Sequence, residues 1–277
     1  MRKLLWALAA ACAAWTAPAM AQGGKEWVLA VSEGTSGGTD HARVIAKYGG
    51  LAGVIGDAAK HKVVVVFVRE FGLLEEGMKQ GRYDFVMARP SDYPARGVRD
   101  YGYRYVANAN PDGNCLIVAP KNSGLKKLSD AHGKRWVLPE QAAYMTKFCR
   151  AELRDQGIDI DKEKVAYTRE QATVGQYLDT GFADVGGVAS YSGLAKEWQK
   201  NGGVVLHKSK PQPYFPLIAG KSVSARQVEA IQKQLASIET VPGGPDALKS
   251  IGITGFDTGG EKRLSELLDW LGKKPAL

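Results

Sequence analysis

Two sets of side chains in this sequence have types and spacings that suit chemistry. The first is polar: Thr35, Ser36 and Thr39 in a loop of small residues, His41 just after them, Arg89 and Ser91 flanking a proline, Gln141 and Tyr144 after another proline, and the pair Ser190-Tyr191. These are hydrogen-bond donors suited to the oxygens of a small polar or anionic ligand. Arg89 is the candidate for direct anion contact because a guanidinium offers a fixed fork of donors. A surface salt bridge is the competing use of the same residue. The second set is sulfur: Cys115, Met145 and Cys149. Met145 and Cys149 are four apart and share a helix face. The two cysteines read as a disulfide, as two buried free thiols, or, with Met145, as ligands for a soft metal or metalloid. All three readings are open at this level.

Little else points to reactivity. His41, His61, His132 and His207 are dispersed along the chain. There is no H-E-x-x-H, C-x-x-C, G-x-S-x-G or Walker pattern. No enzyme is expected, and no cofactor or resident metal.

The elements that must hold these residues alternate. Residues 27–31 read as a strand, 32–39 as a Gly/Ser/Thr loop, and an amphipathic helix opens at Asp40-His41. A strand that feeds such a loop into a helix start presents free backbone N–H groups and the positive end of the helix dipole to an anion. An ordinary strand-to-helix loop has the same composition. Residues 62–67 form a β-branched run typical of a strand buried on both faces. A helix over 70–80 ends at Gly81, and 84–88 is the next strand; Pro90 and Ser91 open another helix. Residues 103–107 are a strand, and the turn formers 108–114 mark a domain crossing. Beyond it the spacing predicts strands at 115–119, 136–138, 164–167, 184–188 and 204–206, with helices over 142–156, 170–179 and 190–201. Three prolines in 211–216 exclude a sheet interior and suit a stiff strap returning between domains. A strand at 217–219 follows, then helices over 224–240, capped by Ser224, and 262–271, with a short turn near 246–251.

The ends and composition bound the class. Residues 1–21 have a basic start (Arg2, Lys3), an apolar stretch and an A-x-A cleavage signal, so they read as an export signal with cleavage before Gln22. Its removal takes the net charge from +8 to +6. Basic residues are scattered among acids, which argues against nucleic acid.

Two segments one hundred residues apart share a frame: Gly81-Arg82-Tyr83-Asp84 before one strand, and Gly181-Phe182-Ala183-Asp184 before another. The expectation is an α/β chain of two doubly wound, Rossmann-like lobes joined by two crossover strands. Lobe 1 takes 22–110 and 212–277, and lobe 2 takes 111–211. Ligands of parallel sheets sit outside the strands' carboxyl ends, so loops 34–41, 89–92, 139–144, 168–173 and 189–191 should face one another across a cleft that closes by hinge bending.

This plan resembles the periplasmic solute-binding proteins of ABC transporters, type II, and within them the phosphate/phosphite/phosphonate-binding, PhnD-like branch. The resemblance is carried by residues 75–84, the loop Ser91-Asp92-Tyr93-Pro94-Ala95, residues 128–136, residues 181–187 and the strap through 211–216. It implies a monomer in the periplasm that captures a small anionic solute for a membrane permease. The alternative is a sensory binding protein for a kinase, with a metalloid oxyanion such as arsenite as ligand. One departure stands out. Where the phosphonate binders carry Ser and Thr at the second-lobe helix start, this chain has Glu140, Gln141, Ala142 and Ala143. Glu140 would repel a dianion and alanine offers no side-chain donor.

Overall fold

Apolar, largely β-branched runs form the first strands, and the computed structural model describes them within residues 25–35 and 40–273. β1 (Trp27–Ser32), β2 (Val63–Phe67) and β3 (Phe85–Ala88) pair in parallel, with β1 between the other two. The run expected to be buried on both faces, β2, is the edge strand, and all five of its residues are only half-buried. Between the strands lie α1 (His41–Ala59) and α2 (Phe71–Lys79), followed by α3 (Asp92–Asp100). Asp40 caps α1 by accepting from the Arg43 backbone N–H at 3.1 Å.

The first lobe continues through β4 (Arg104–Gly113) and passes to the second at Asn114. There, β5 (Cys115–Ala119), β6 (Arg135–Pro139), β7 (Lys164–Thr168), β8 (Val185–Ala189) and β9 (Val204–Lys208) form a sheet in the order β7-β6-β8-β5-β9. Around it pack α4 (Tyr144–Asp155), α5 (Gln171–Asp179) and α6 (Gly193–Lys200). The chain returns through β10 (Gln212–Ala219), then α7 (Ala225–Ala236), α8 (Gly244–Ile251), β11 (Gly255–Asp257) and α9 (Glu261–Gly272). The first sheet therefore runs β11-β4-β10-β3-β1-β2.

Three expectations change here. The sheets are mixed, because each strand that leaves a crossing runs against its neighbours: β10 against β3 and β4, and β5 against β8 and β9. The turn formers 108–113 stay inside β4 and do not end the strand. The proline-rich strap is itself a central strand. Its register slips between Gln212 and Tyr214 and again between Tyr214 and Leu217, so Pro213 and Pro216 fall at irregularities where no ladder N–H is needed. Between them Phe215 adopts φ 49°, and this local bend turns an aromatic pair, Tyr214 and Phe215, toward the first lobe's interior.

The two crossings lie side by side. Asn114 Nδ2 donates to Ser209 O at 2.8 Å, the Cys115 N–H to Ser209 Oγ at 2.9 Å, and the Ser209 N–H to Cys115 O at 2.9 Å. α9 packs on both lobes: Leu264 and Leu267 join a cluster with Trp136 and Phe148 of the second lobe, while the helix also lies against α3 and β10 of the first.

The repeated Gly-x-x-Asp frame has one geometry in both lobes. Gly81 and Gly181 close α2 and α5 with φ 64° and 72°, where glycine avoids the Cβ penalty. Asp84 accepts from the Val28 N–H at 2.8 Å and returns its own N–H to Val28 O at 3.0 Å. Asp184 does the same with Arg135, at 3.0 and 2.8 Å. Each aspartate thus pins the start of one strand to the start of its neighbour. Asp84→Ala should cost about 1–3 kcal/mol by leaving the Val28 N–H without its partner, which urea unfolding would measure.

Candidate functional site

Because β1 and β3 are parallel neighbours, their carboxyl ends emerge together, and the chain leaves them at Glu33 and Arg89. The Arg89 N–H donates to Ser32 O at 2.9 Å, so the two loops are tied at their first residues. Glu33 is only 3% exposed. Its Oε1 accepts from Lys47 Nζ at 2.5 Å and Tyr48 Oη at 2.6 Å, both on α1, and lies 3.6 Å from the Arg89 guanidinium. Burial works to raise the Glu33 carboxyl, but Arg89, Lys47 and Tyr48 outweigh it and hold the group below the usual carboxylate range. Glu33 is an anion.

Arg89 is buried against aromatic rings. Its guanidinium carbon lies 5.2 Å from the Phe215 centroid, 5.7 Å from Tyr191 and 5.9 Å from Tyr214. Tyr191 and Tyr214 are themselves 4.2 Å apart. These π faces favour a cation at this range. Burial alone disfavours the charged guanidinium, yet the surrounding tyrosines and Glu33 raise its pKa further, so Arg89 carries a permanent charge.

The second lobe closes over this floor. Gln171, opening α5, donates its backbone N–H to Thr35 O at 3.1 Å and its Nε2 to Thr35 Oγ1 at 3.3 Å, while its Oε1 accepts the Ala189 N–H at 2.7 Å. Tyr144 opens α4, and its hydroxyl is buried beside the Ser91 side chain. Burial pushes this phenol well above its ordinary pKa, which keeps it a neutral donor. Together Glu33, Thr35, Phe71, Arg89, Tyr144 and Gln171, with Tyr191 and Met145, line a tight pocket whose free volume is about 10 Å³, room for about one water. A second cavity of about 220 Å³ shares Gly34, Thr35 and Phe71 and leads outward past Glu140. A wider groove of about 580 Å³ lies elsewhere, between α4 and α9, where the carboxylates of Glu152, Asp155, Glu266 and Asp269 stand among Lys210, Arg263 and Lys273.

At the mouth, two ion pairs cross the cleft in opposite senses. Arg69 of the first lobe meets Glu170 of the second at 3.0 Å, and Arg169 of the second meets Glu70 of the first at 2.6 Å. The same Arg-Glu dipeptide recurs one hundred residues on, each copy gripping the other. Deeper in, Lys147 reaches across to the buried Asp92 at 2.8 Å. Arg69→Glu should weaken ligand binding about threefold to tenfold, since each partly exposed pair contributes up to about 1 kcal/mol. The double exchange Arg69→Glu with Glu170→Arg should restore affinity, as isothermal titration would read.

The polar residues expected at the cleft divide into groups. Thr35, Arg89, Tyr144 and Tyr191 meet at the cavity. Ser91 lies beneath it and donates its hydroxyl to Pro213 O at 2.9 Å, anchoring the bent strand and not a ligand. Ser190 accepts from the Asn114 N–H at 3.1 Å and holds the crossing. Gln141 is exposed. His41 is exposed too, with its ring edge on Phe67 at 5.0 Å. Ser36 and Thr39 lie outside the described residues. The sulfur set is corrected: Cys115 and Cys149 are joined in a disulfide, with Met145 Sδ 3.7 Å from Cys149 Sγ. Paired sulfurs have no thiolate to offer a metal or metalloid. Among the described residues no grouping of His, Cys, Asp and Glu has a metal site's arrangement.

Glu33, Lys47, Tyr48 and Phe71 were not among the expected site residues, and Gln171 entered only as part of the loop 168–173 expected at the cleft. The available signal was Glu33 itself, a carboxylate set directly between an apolar strand and a glycine-rich loop.

Several solved structures share this fold. XAC2383 from Xanthomonas citri, bound to ATP, superposes with a TM-score of 0.70 at 14% identity over 88% of this chain and 96% of its own. PhnD1 from Prochlorococcus marinus, in complex with methylphosphonate, gives 0.69 at 11% identity, over 88% and 96%. A binding protein component of an ABC phosphonate transporter from Pseudomonas aeruginosa gives 0.65 at 12%, over 88% and 85%. No curated protein matches the sequence. The family described as "ABC transporter, phosphonate, periplasmic substrate-binding protein" matches residues 38–263. The chain belongs to that family, with the two-lobed fold of type II periplasmic binding proteins and the role of a binding protein, not an enzyme.

Proposed function

We propose that this member of the phosphonate substrate-binding family holds a small phosphonate- or phosphate-like oxyanion between the lobes, at the pocket lined by Arg89 and Tyr144, and hands it to the permease of an ABC transporter. The observation that carries the reading is Arg89: a buried, permanently charged donor fork at the cavity wall, opposite the buried hydroxyl of Tyr144 on the other lobe. In this reading a ligand oxygen takes N–H bonds from Arg89, and another accepts from Tyr144. Tyr144 then supplies from its ring the donor that Ala142 and Ala143 lack. Thr35 and Gln171 complete the wall and couple occupancy to closure.

The metalloid-sensing alternative loses its ligands to the disulfide. A monomer with lobes 22–110 plus 212–277 and 111–211, exported by a signal cleaved before Gln22, completes the proposal. N-terminal sequencing of periplasmic protein tests the last point. Among the described residues no helix is long and apolar enough to cross a membrane. Thermal-shift and titration screening against methylphosphonate, phosphite, phosphate, sulfonates and amino acids tests the ligand class. A tight binder raises the melting temperature by mass action, and stabilisation by amino acids alone would overturn the oxyanion reading.

A further inference from the structure

Among the described residues the charges lining the cavity are Arg89 and Glu33, with Lys47 behind Glu33 and Glu140 further out at the mouth beside the two crossed ion pairs. The second-lobe wall adds Tyr144, Met145, Gln171 and Tyr191, none of which carries charge. The neighbouring cluster behind Tyr144 balances internally, Asp92 and Glu75 against Arg96 and Lys147. Glu33 thus cancels one of two cations, and a single positive charge faces the ligand.

We infer that the cleft selects the singly charged form of its oxyanion, and that Glu33 is the residue that sets this preference. The inference rests on the oxyanion reading above and specifies it. A monoanion is matched by the net charge of the site. A dianion leaves one negative charge uncompensated beside a buried carboxylate, where unmatched charge is costly. Lys47 Nζ, Tyr48 Oη and the Arg89 guanidinium all converge on Glu33 Oε1, so the carboxylate keeps its charge when the cleft fills.

The groups that face Glu33 keep their charges near neutral pH. Glu33 is held below the usual carboxylate range, Arg89 is held up, and burial raises the phenols of Tyr48, Tyr191 and Tyr214. Burial lowers Lys47, while Glu33 supports its charge. Further along α1, Arg43 faces Lys47, and Asp40 and His41 open the helix. A charge change in any of these would act on every anionic probe alike.

Two probes of similar tetrahedral shape separate the cases. Methylphosphonate passes from monoanion to dianion around neutral pH, whereas methanesulfonate is singly charged throughout. Isothermal titration from about pH 5.5 to 8.5 should show methylphosphonate affinity falling about tenfold per pH unit once its monoanion is the minority species. Methanesulfonate affinity should stay level. In Glu33→Gln, checked for fold by circular dichroism, the fall for methylphosphonate should disappear; if that variant does not fold, the two-probe comparison on the wild-type protein decides alone. Methylphosphonate affinity that holds or rises with pH in the wild-type protein overturns the inference while leaving the oxyanion reading intact. A fall shared by methanesulfonate overturns it as well. If neither probe binds at any pH, the oxyanion reading fails and the inference falls with it.

Discussion

Arg89→Ala should lower affinity for any oxyanion ligand by about a hundredfold or more, the expected scale for removing one partner of a buried, charge-assisted contact. The size of the effect follows from the enclosure. Arg89 is 8% exposed, framed by three rings, and tied through its backbone to the end of β1. Water that enters in its place cannot supply two parallel donors at a fixed spacing. Arg89→Lys keeps the charge but not the fork, so it should recover only part of the loss. The substitution also removes a cation from Glu33, which keeps Lys47 and Tyr48 as partners. The protein should therefore still fold while failing to bind, which circular dichroism beside calorimetric titration would establish. Affinity within about threefold of wild type would place the ligand away from this floor.

The second large effect is on stability. The disulfide between Cys115 and Cys149 closes a separation of 34 residues and fastens β5 to α4 inside the second lobe. Chain-entropy reasoning gives about 3–4 kcal/mol for a loop of that length. Replacing both cysteines by alanine should lower the melting temperature by roughly 10 °C for a protein of this size. Both sulfurs are fully buried, so reductant should act slowly on the folded protein and quickly once it unfolds. Intact mass before and after reduction under denaturing conditions should differ by two hydrogens. The same α4 presents Tyr144 to the cavity, so the double variant should also bind less tightly, though far less so than Arg89→Ala.

Much of the scaffold was legible because it is written in local terms. The alternation of apolar runs with amphipathic stretches follows directly from side-chain periodicity. Ser224 caps α7 and forms a reciprocal box with Gln227, as its type and position suggest. The Gly-x-x-Asp frames announce the two lobes. What escaped depends on partners distant in sequence. β10 holds two prolines and still lies between two strands, because its bulges place them where no donor is required. The edge position of β2 depends on strand order, which its own composition does not encode. At the site, hydroxyl residues drew attention by type, but Ser91 and Ser190 spend theirs on Pro213 and Asn114. Glu33 was invisible as a site residue because its meaning comes from Lys47 and Tyr48, fourteen and fifteen positions later on α1.

The crossed pairs at the cleft mouth have a kinetic consequence. In these pairs each lobe offers one arginine and one glutamate, so the paired residues of each lip sum to zero, with Glu140 beside them on the second lobe. With the first lip neutral, the two lips exert little pull on each other from afar, and salt screens the remainder within about 10 Å. The pairs engage only over the last few ångströms, when the lobes are already nearly shut. They therefore leave the speed of closing to diffusion and the ligand, and lengthen the time the protein stays shut. Charge reversal at Arg69 should accordingly appear as faster ligand escape with little change in capture rate. A carrier built this way loads at the pace of encounter and resists losing its cargo before it is delivered.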